Sequence, residues 1–146
     1  MEKQTTASHP AAATALSLFD ATATSKRLGN GHARENLRYA VARTAADGGD
    51  SRLTEAVNFW IKPQAREAIL AWLRRTVTTA RTSTAVTGIR QRVQNISELA
   101  SRDEEAAHGA EDKLRTDVLT MIAEGTIDSK LLAAEALKTS EIEFGR

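Results

Sequence analysis

Helix breakers are scarce in this chain, and that scarcity limits its possible folds more than any other feature. Two prolines, Pro10 and Pro63, and eight glycines punctuate 146 residues. Long stretches are therefore free to be helical. No run alternates apolar and polar residues cleanly at period two, so strands have no support. The expected class is all-α: a small helical bundle of about five to six helices with a disordered N-terminal tail.

Hydrophobic residues make up 41% of the chain but aromatics only 4%, and much of the apolar share is alanine. Alanine favours helix yet buries little surface, so the core should be thin for the chain length. A thin core is a reason to expect a partner chain and a homo-oligomer. Three regions are expected, read as parts of one domain. They are a flexible Ala/Thr-rich tail over 1–30, a basic helical core over 31–108 and an acidic helical pair over 109–146. Within the tail, Leu16, Leu18 and Phe19 form an apolar patch able to dock on the body or on a partner.

The first helix is expected over about 33–46, with Ala33, Leu37, Ala40, Val41 and Thr44 as its weakly apolar stripe. Asp47-Gly48-Gly49-Asp50 ends it, and Asp50 or Ser51 caps a second helix to about Ile61. Leu53, Val57, Trp60 and Ile61 lie on one face of that helix. Pro63 begins a third helix or kinks the second. Ala65, Ile69, Trp72, Leu73, Val77 and Ala80 give it the strongest apolar face in the chain. From Thr76 to Gly88, six threonines and a serine leave open whether the helix continues or softens into a joint. Val86, Ile89, Val93, Ile96 and Ala100 extend the periodicity to about Ala107, with Gly109 as the expected stop. Two shorter helices follow, separated at Gly125; Asp128 or Thr126 caps the last.

Catalytic patterns are missing. There is no cysteine, and His9, His32 and His108 stand apart from one another in sequence and from any nucleophile motif. Asp103-Glu104-Glu105 and Glu111-Asp112 read as a solvated helix face rather than an acid–base pair. No enzyme, metal or cofactor is expected. The N-terminus lacks the basic start and apolar core of a signal peptide, and no window suits a membrane span. The expectation is a cytoplasmic protein without a membrane partner.

Charge is unevenly placed. Lys26–Arg92 holds 13 Lys/Arg against 5 Asp/Glu, a net of +8, whereas Val93–Arg146 holds 6 against 12, a net of −6. Arg66, Arg74 and Arg81 project within an arc of about 80° beside the Ile69/Leu73 face. With Lys62, Arg75, Arg90 and Arg92 they form a candidate nucleic-acid-binding set, able to follow phosphates without reading bases. Their planar forks suit partner carboxylates equally well. A helix-turn-helix over Leu37–Ile61 is a further possibility, with Arg52, Thr54, Glu55 and Asn58 facing outward for DNA-binding. In the acidic third, Leu114, Val118, Met121, Ile122, Leu131, Leu132 and Leu137 form a candidate partner-binding set.

The run Leu119-Thr-Met-Ile-Ala-Glu-Gly-Thr-Ile-Asp-Ser-Lys-Leu-Leu-Ala-Ala-Glu-Ala-Leu137 resembles the C-terminal helices of flagellar anti-sigma factors. Those also pass from a helix through glycine and a hydrophobic-Asp step into an Ala/Leu helix. The resemblance covers 19 of 146 residues. The link after Gly125 is shorter than that family's, and nothing upstream of Val93 fits. It implies acidic helices that clasp a basic surface of a transcription or replication protein.

Three functions follow. The first is a non-enzymatic, nucleic-acid-associated accessory or regulatory protein that sets a basic helix face against phosphates. The second is a helical protein-binding adaptor or inhibitor, anti-sigma-like, acting through its helices. The third is a self-assembling structural protein in which the basic middle of one chain meets the acidic tail of the next.

Overall fold

Pro10 opens the first helix, α1 (Pro10–Ala21), at a position where its missing N–H is not needed. His9 precedes it and caps it, its Nδ1 accepting from the Ala11 N–H at 3.1 Å. The structure, a computed structural model, describes residues 9–21, 28–125 and 127–134. Four further long helices follow: α2 (Gly31–Asp47), α3 (Ser51–Trp60), α4 (Pro63–Ala100) and α5 (Glu104–Glu124). Residues 129–134 are also helical, and no strand occurs among the described residues. The protein is all-α. No helix among the described residues is long and apolar enough to cross a membrane.

The chain divides into two compact units, Met1–Arg81 and Thr82–Arg146. In the first, Phe19, Leu37, Val41, Leu53, Val57 and Leu73 are fully buried. Ala11, Ala15, Ala40, Ala45 and Ala80 join them in one cluster. Five of its thirteen members being alanine, the helices approach closely and the few large side chains carry most of the burial. Each such side chain contributes about 1.5–3 kcal/mol.

Of the apolar patch expected within the tail, Phe19 docks on the body, while Leu16 and Leu18 are half-buried. Phe19 is fully buried, and its ring lies 5.6 Å from that of Trp72, tilted by 44°. Arg38 of α2 holds Asp20 through two bonds, Nε to Oδ1 at 2.9 Å and Nη2 to Oδ2 at 3.0 Å. The Arg38 hydrogen bond holds the Asp20 carboxyl below the usual carboxylate range, with slight desolvation opposing it. The ordered structure thus begins well before Gly31. Residues 1–8 of the expected tail lie outside the described residues.

Capping chemistry sets the boundaries of α2 and α3. Asn30 Oδ1 accepts from the N–H groups of His32 (2.9 Å) and Ala33 (3.3 Å). Gly48 ends α2 at φ 98°, a left-handed conformation that glycine adopts at no steric cost. The expected stripe of Ala33, Leu37, Ala40, Val41 and Thr44 is buried throughout.

The threonine-rich stretch is continuous helix within α4. Thr76 Oγ1 donates to the Trp72 carbonyl at 3.1 Å, so its hydroxyl is satisfied without leaving the helix.

The second unit differs from expectation at one boundary. α4 stops at Ala100, a new helix starts at Glu104, and Gly109 lies inside it. Asp103 Oδ1 accepts the Ala106 N–H at 3.1 Å, with Glu104 and Glu105 in the first turn. Carboxylates favour the positive end of a helix dipole; the acidic run starts a helix rather than ending one, and its side chains are solvent-exposed as expected. Gly125 closes α5 at φ 72°. Asp128 then caps residues 129–134, its Oδ1 accepting from the Lys130 and Leu131 N–H groups at 2.9 and 3.1 Å. The fully buried Thr82 Oγ1 accepts the Asp128 N–H at 2.9 Å. Val86, Ile127 and Leu132 form this unit's small buried cluster.

Replacing Phe19 by alanine should cost about 3–5 kcal/mol, measured by urea unfolding followed through tryptophan fluorescence. A loss near zero would show that α1 does not belong to the core.

Candidate binding groove and the arginines of α4

Pro63 starts α4 with its apolar face against the first unit's core, and that orientation decides where its arginines reach. The expected face is buried in a graded way. Leu73, Val77 and Ala80 are inaccessible, while Ala65, Ile69 and Trp72 pack at its margin. Arg66, Arg74 and Arg81 flank this face, and each is drawn into the fold.

Arg66 Nε donates to the Ile61 carbonyl at 2.8 Å, at the C-terminal end of α3. Arg74 Nε meets Asp50 Oδ2 at 2.8 Å and its Nη2 donates to Thr54 Oγ1 at 3.3 Å, at the N-terminal end of α3. Asp50 makes no side-chain cap bond to its own helix; its carboxylate turns to Arg74. Arg81 Nη2 donates to the Thr44 carbonyl and its Nε to the Ala45 carbonyl at 3.5 Å, at the C-terminal end of α2. The Thr44 carbonyl also accepts the Gly48 N–H at 3.0 Å, and a cation at this last turn meets the negative end of the helix dipole. Burial lowers the Arg81 pKa from its ordinary value, and the Asp50 charge opposes that shift. Its bonds to two backbone carbonyls compensate for the lost hydration.

The structure therefore does not gather the candidate phosphate-binding set into one open row. Arg66, Arg74 and Arg81 grip the α2–α3 pair. In the second unit Arg92 Nη1 is bound to Asp117 Oδ2 of α5 at 2.8 Å, and Arg90 is exposed on α4. Lys62 and Arg75 are exposed, and among the described residues neither side chain has a hydrogen bond or ion pair.

Lys62 and Arg75 line the same groove, of about 770 Å³. Trp60, Ile61, Ala65, Ile69 and Trp72 provide its apolar surface, and Leu28, Asn30 and Ala33 complete one side. Among the described residues no carboxylate is in its lining. Phe19 backs Trp72 from the core side, so part of the groove wall is braced by α1. Trp60 also borders a shallower depression with Asn36, Tyr39, Arg52, Glu55 and Phe59. Phe59 is 77% exposed there, and its ring meets that of Trp60 edge-on at 5.0 Å. Of the outward set expected for a helix-turn-helix, Arg52, Glu55 and Asn58 are exposed, whereas Thr54 is held by Arg74.

The candidate partner-binding stripe of the acidic third is largely internal to the second unit. Leu114 and Leu132 are buried, and Val118 and Met121 pack against the Val86–Ile127–Leu132 cluster. Leu131 is half-buried, and Leu137 lies outside the described residues. Ile122 is exposed, and Leu119, which the stripe omitted, is 66% exposed. Two residues that sequence reading did not single out also matter here. Thr82 anchors the 127–128 turn, and Phe59 presents the most exposed aromatic ring among the described residues. Among the described residues no group of three or more His, Asp or Glu side chains is arranged to hold a metal.

Comparison with protein-family models, curated proteins and solved structures gave no match.

The two kinds of arginine should separate by stability. Arg81→Ala should cost about 1.5–3 kcal/mol in chemical unfolding, as expected for a charged bond to partly buried carbonyls. Arg75→Ala should change stability by less than about 0.5 kcal/mol. Equal effects from the two would refute the assignment.

Proposed function

We propose that this chain is a non-enzymatic helical adaptor or inhibitor whose first unit binds an acid-bearing, amphipathic segment of a protein in the Trp60–Trp72 groove. One observation carries the reading. Among the described residues, Lys62 and Arg75 are the two cations of α4 and its preceding turn whose side chains the fold leaves unengaged, and both border an apolar groove with no described carboxylate in its lining. A ligand that placed leucine, isoleucine or phenylalanine against the indoles would bring a neighbouring Asp or Glu to these cations. Tryptophan and arginine are also the residues most often dominant at protein interfaces.

Phosphate binding is favoured less, for a specific reason. Following a phosphate row needs several cations free to release counterions. Arg66, Arg74, Arg81 and Arg92 instead satisfy carbonyls and carboxylates of their own chain. A ligand competing for them would have to break those bonds. Binding to DNA or RNA therefore stands as the alternative outcome of the same test.

The test is selection of a randomised displayed peptide library on the full chain, with tryptophan fluorescence as a second readout. Selected peptides should combine Asp or Glu with large apolar residues. Their affinity should fall about tenfold or more in Lys62→Glu/Arg75→Glu and stay unchanged in Arg90→Glu. Selected peptides without acidic residues, or binding indifferent to the double variant, would overturn the proposal. So would tight, steeply salt-dependent binding of a short duplex or single strand that requires Lys62 and Arg75; that result would establish the nucleic-acid reading.

A further inference from the structure

We infer that the segment received by this groove is residues 135–146 of a second copy, through its Glu-Ile-Glu-Phe run at 141–144, so that the chain associates head to tail. The inference rests on the reading of the groove given above and names its occupant.

Residues 141–144 read Glu-Ile-Glu-Phe. In an extended segment alternate side chains point to opposite sides. Docked in that way, the stretch would offer Glu141 and Glu143 on one side, Ile142 and Phe144 on the other. The groove offers both chemistries: among the described residues its lining has Trp60, Ile69 and Trp72 as apolar surface, Lys62 and Arg75 as cations, and no carboxylate.

The other acidic stretches of the second unit are already committed. Asp103 accepts the Ala106 N–H, and Glu104 and Glu105 occupy the first turn of α5. Glu111 and Asp112 both pair with Arg115. Asp117 pairs with Arg92 and Lys113, and Asp128 caps the helix after it. Within the acidic third, residues 141–144 are where two carboxylates alternate with two bulky apolar side chains.

Groove and segment are different surfaces of one chain, so each copy keeps one of each unfilled after pairing. Such heterologous contacts extend into chains or close into rings. Charge pairs at an exposed groove rim are screened by salt, so assembly should weaken as ionic strength rises.

The experiment is sedimentation velocity on the full chain across a range of concentrations and salt, with two variants. Ile142→Ser/Phe144→Ser removes the apolar side of the segment, and Lys62→Glu/Arg75→Glu reverses the groove's charge. Circular dichroism checks that both remain helical. Wild type should show concentration-dependent oligomers that recede with salt, and each variant alone should sediment as a monomer. Mixing the two should restore a dimer and nothing larger, because one supplies an intact groove and the other an intact segment. A synthetic peptide of residues 135–146 should bind the segment variant and change its tryptophan fluorescence.

A wild type that is monomeric at every concentration would overturn the inference. So would oligomers that persist in both variants, or a mixture that fails to pair. A monomer whose segment variant binds the free peptide more tightly would show the segment folding back within its own chain, again overturning it. Failure of this peptide while library-selected acidic peptides still bind would remove the occupant and leave the groove's function standing. Failure of both would remove the groove's function as well.

Discussion

The hold of α4 on the α2–α3 pair is the constraint on which the rest of the first unit depends. Leu73, Val77 and Ala80 bury one face of α4, which places Arg66, Arg74 and Arg81 against three helix ends. The three contacts differ in weight. Arg74 and Asp50 are each about half exposed, and such a surface pair contributes about 0–1 kcal/mol. Arg81 reaches partly buried carbonyls at the end of α2, where a charged bond contributes about 1.5–3 kcal/mol. The apolar contacts choose the orientation of α4, and Arg81 penalises departures from it. An alanine-rich core supplies little side-chain volume, so such polar clamps have more influence here than in a core rich in leucine and phenylalanine.

That division of labour also decides what is left for binding. A basic stretch of +8 looks at first like one electrostatic surface, but most of its arginines serve the fold. What remains near α4's start is small: Lys62 and Arg75 beside two indoles. Two cations and an apolar surface suit a short ligand that is both acidic and greasy. The second unit shows the converse. Among the described residues its carboxylates start α5, cap residues 129–134 and pair with Arg92 and Arg115, so much of that charge is used within the unit.

Much of the fold was legible because its signals are local. The α2 stripe from Ala33 to Thr44, the stop at Gly48, the start at Pro63 and the stop at Gly125 each follow from backbone geometry or period. The helix Pro10–Ala21 was obscured because its buried positions are mostly alanines, which carry little hydrophobic signal; Phe19 alone marks its anchor. The break at 101–103 lacks both glycine and proline, and its signal was Asp103 followed by two glutamates, a cap followed by a favourable first turn. The site was harder to read. Sequence places Arg66, Arg74 and Arg81 on one face but cannot say that three helix ends lie opposite them, because those contacts span 5, 24 and 37 residues. The groove emerges only after these three are set aside. Leu114 and Leu132 show the same ambiguity, since an apolar stripe looks alike whether a partner or its own unit covers it.

The most direct test is an amide and guanidinium NMR spectrum that resolves the arginine Nε–H signals, recorded with and without an acidic amphipathic peptide. Arg66, Arg74 and Arg81 should give dispersed Nε–H signals that exchange slowly with water and do not move on peptide addition, whereas the Arg75 signal should shift. Averaged, fast-exchanging signals for Arg66, Arg74 and Arg81, or shifts that place them on the peptide, would contradict the account.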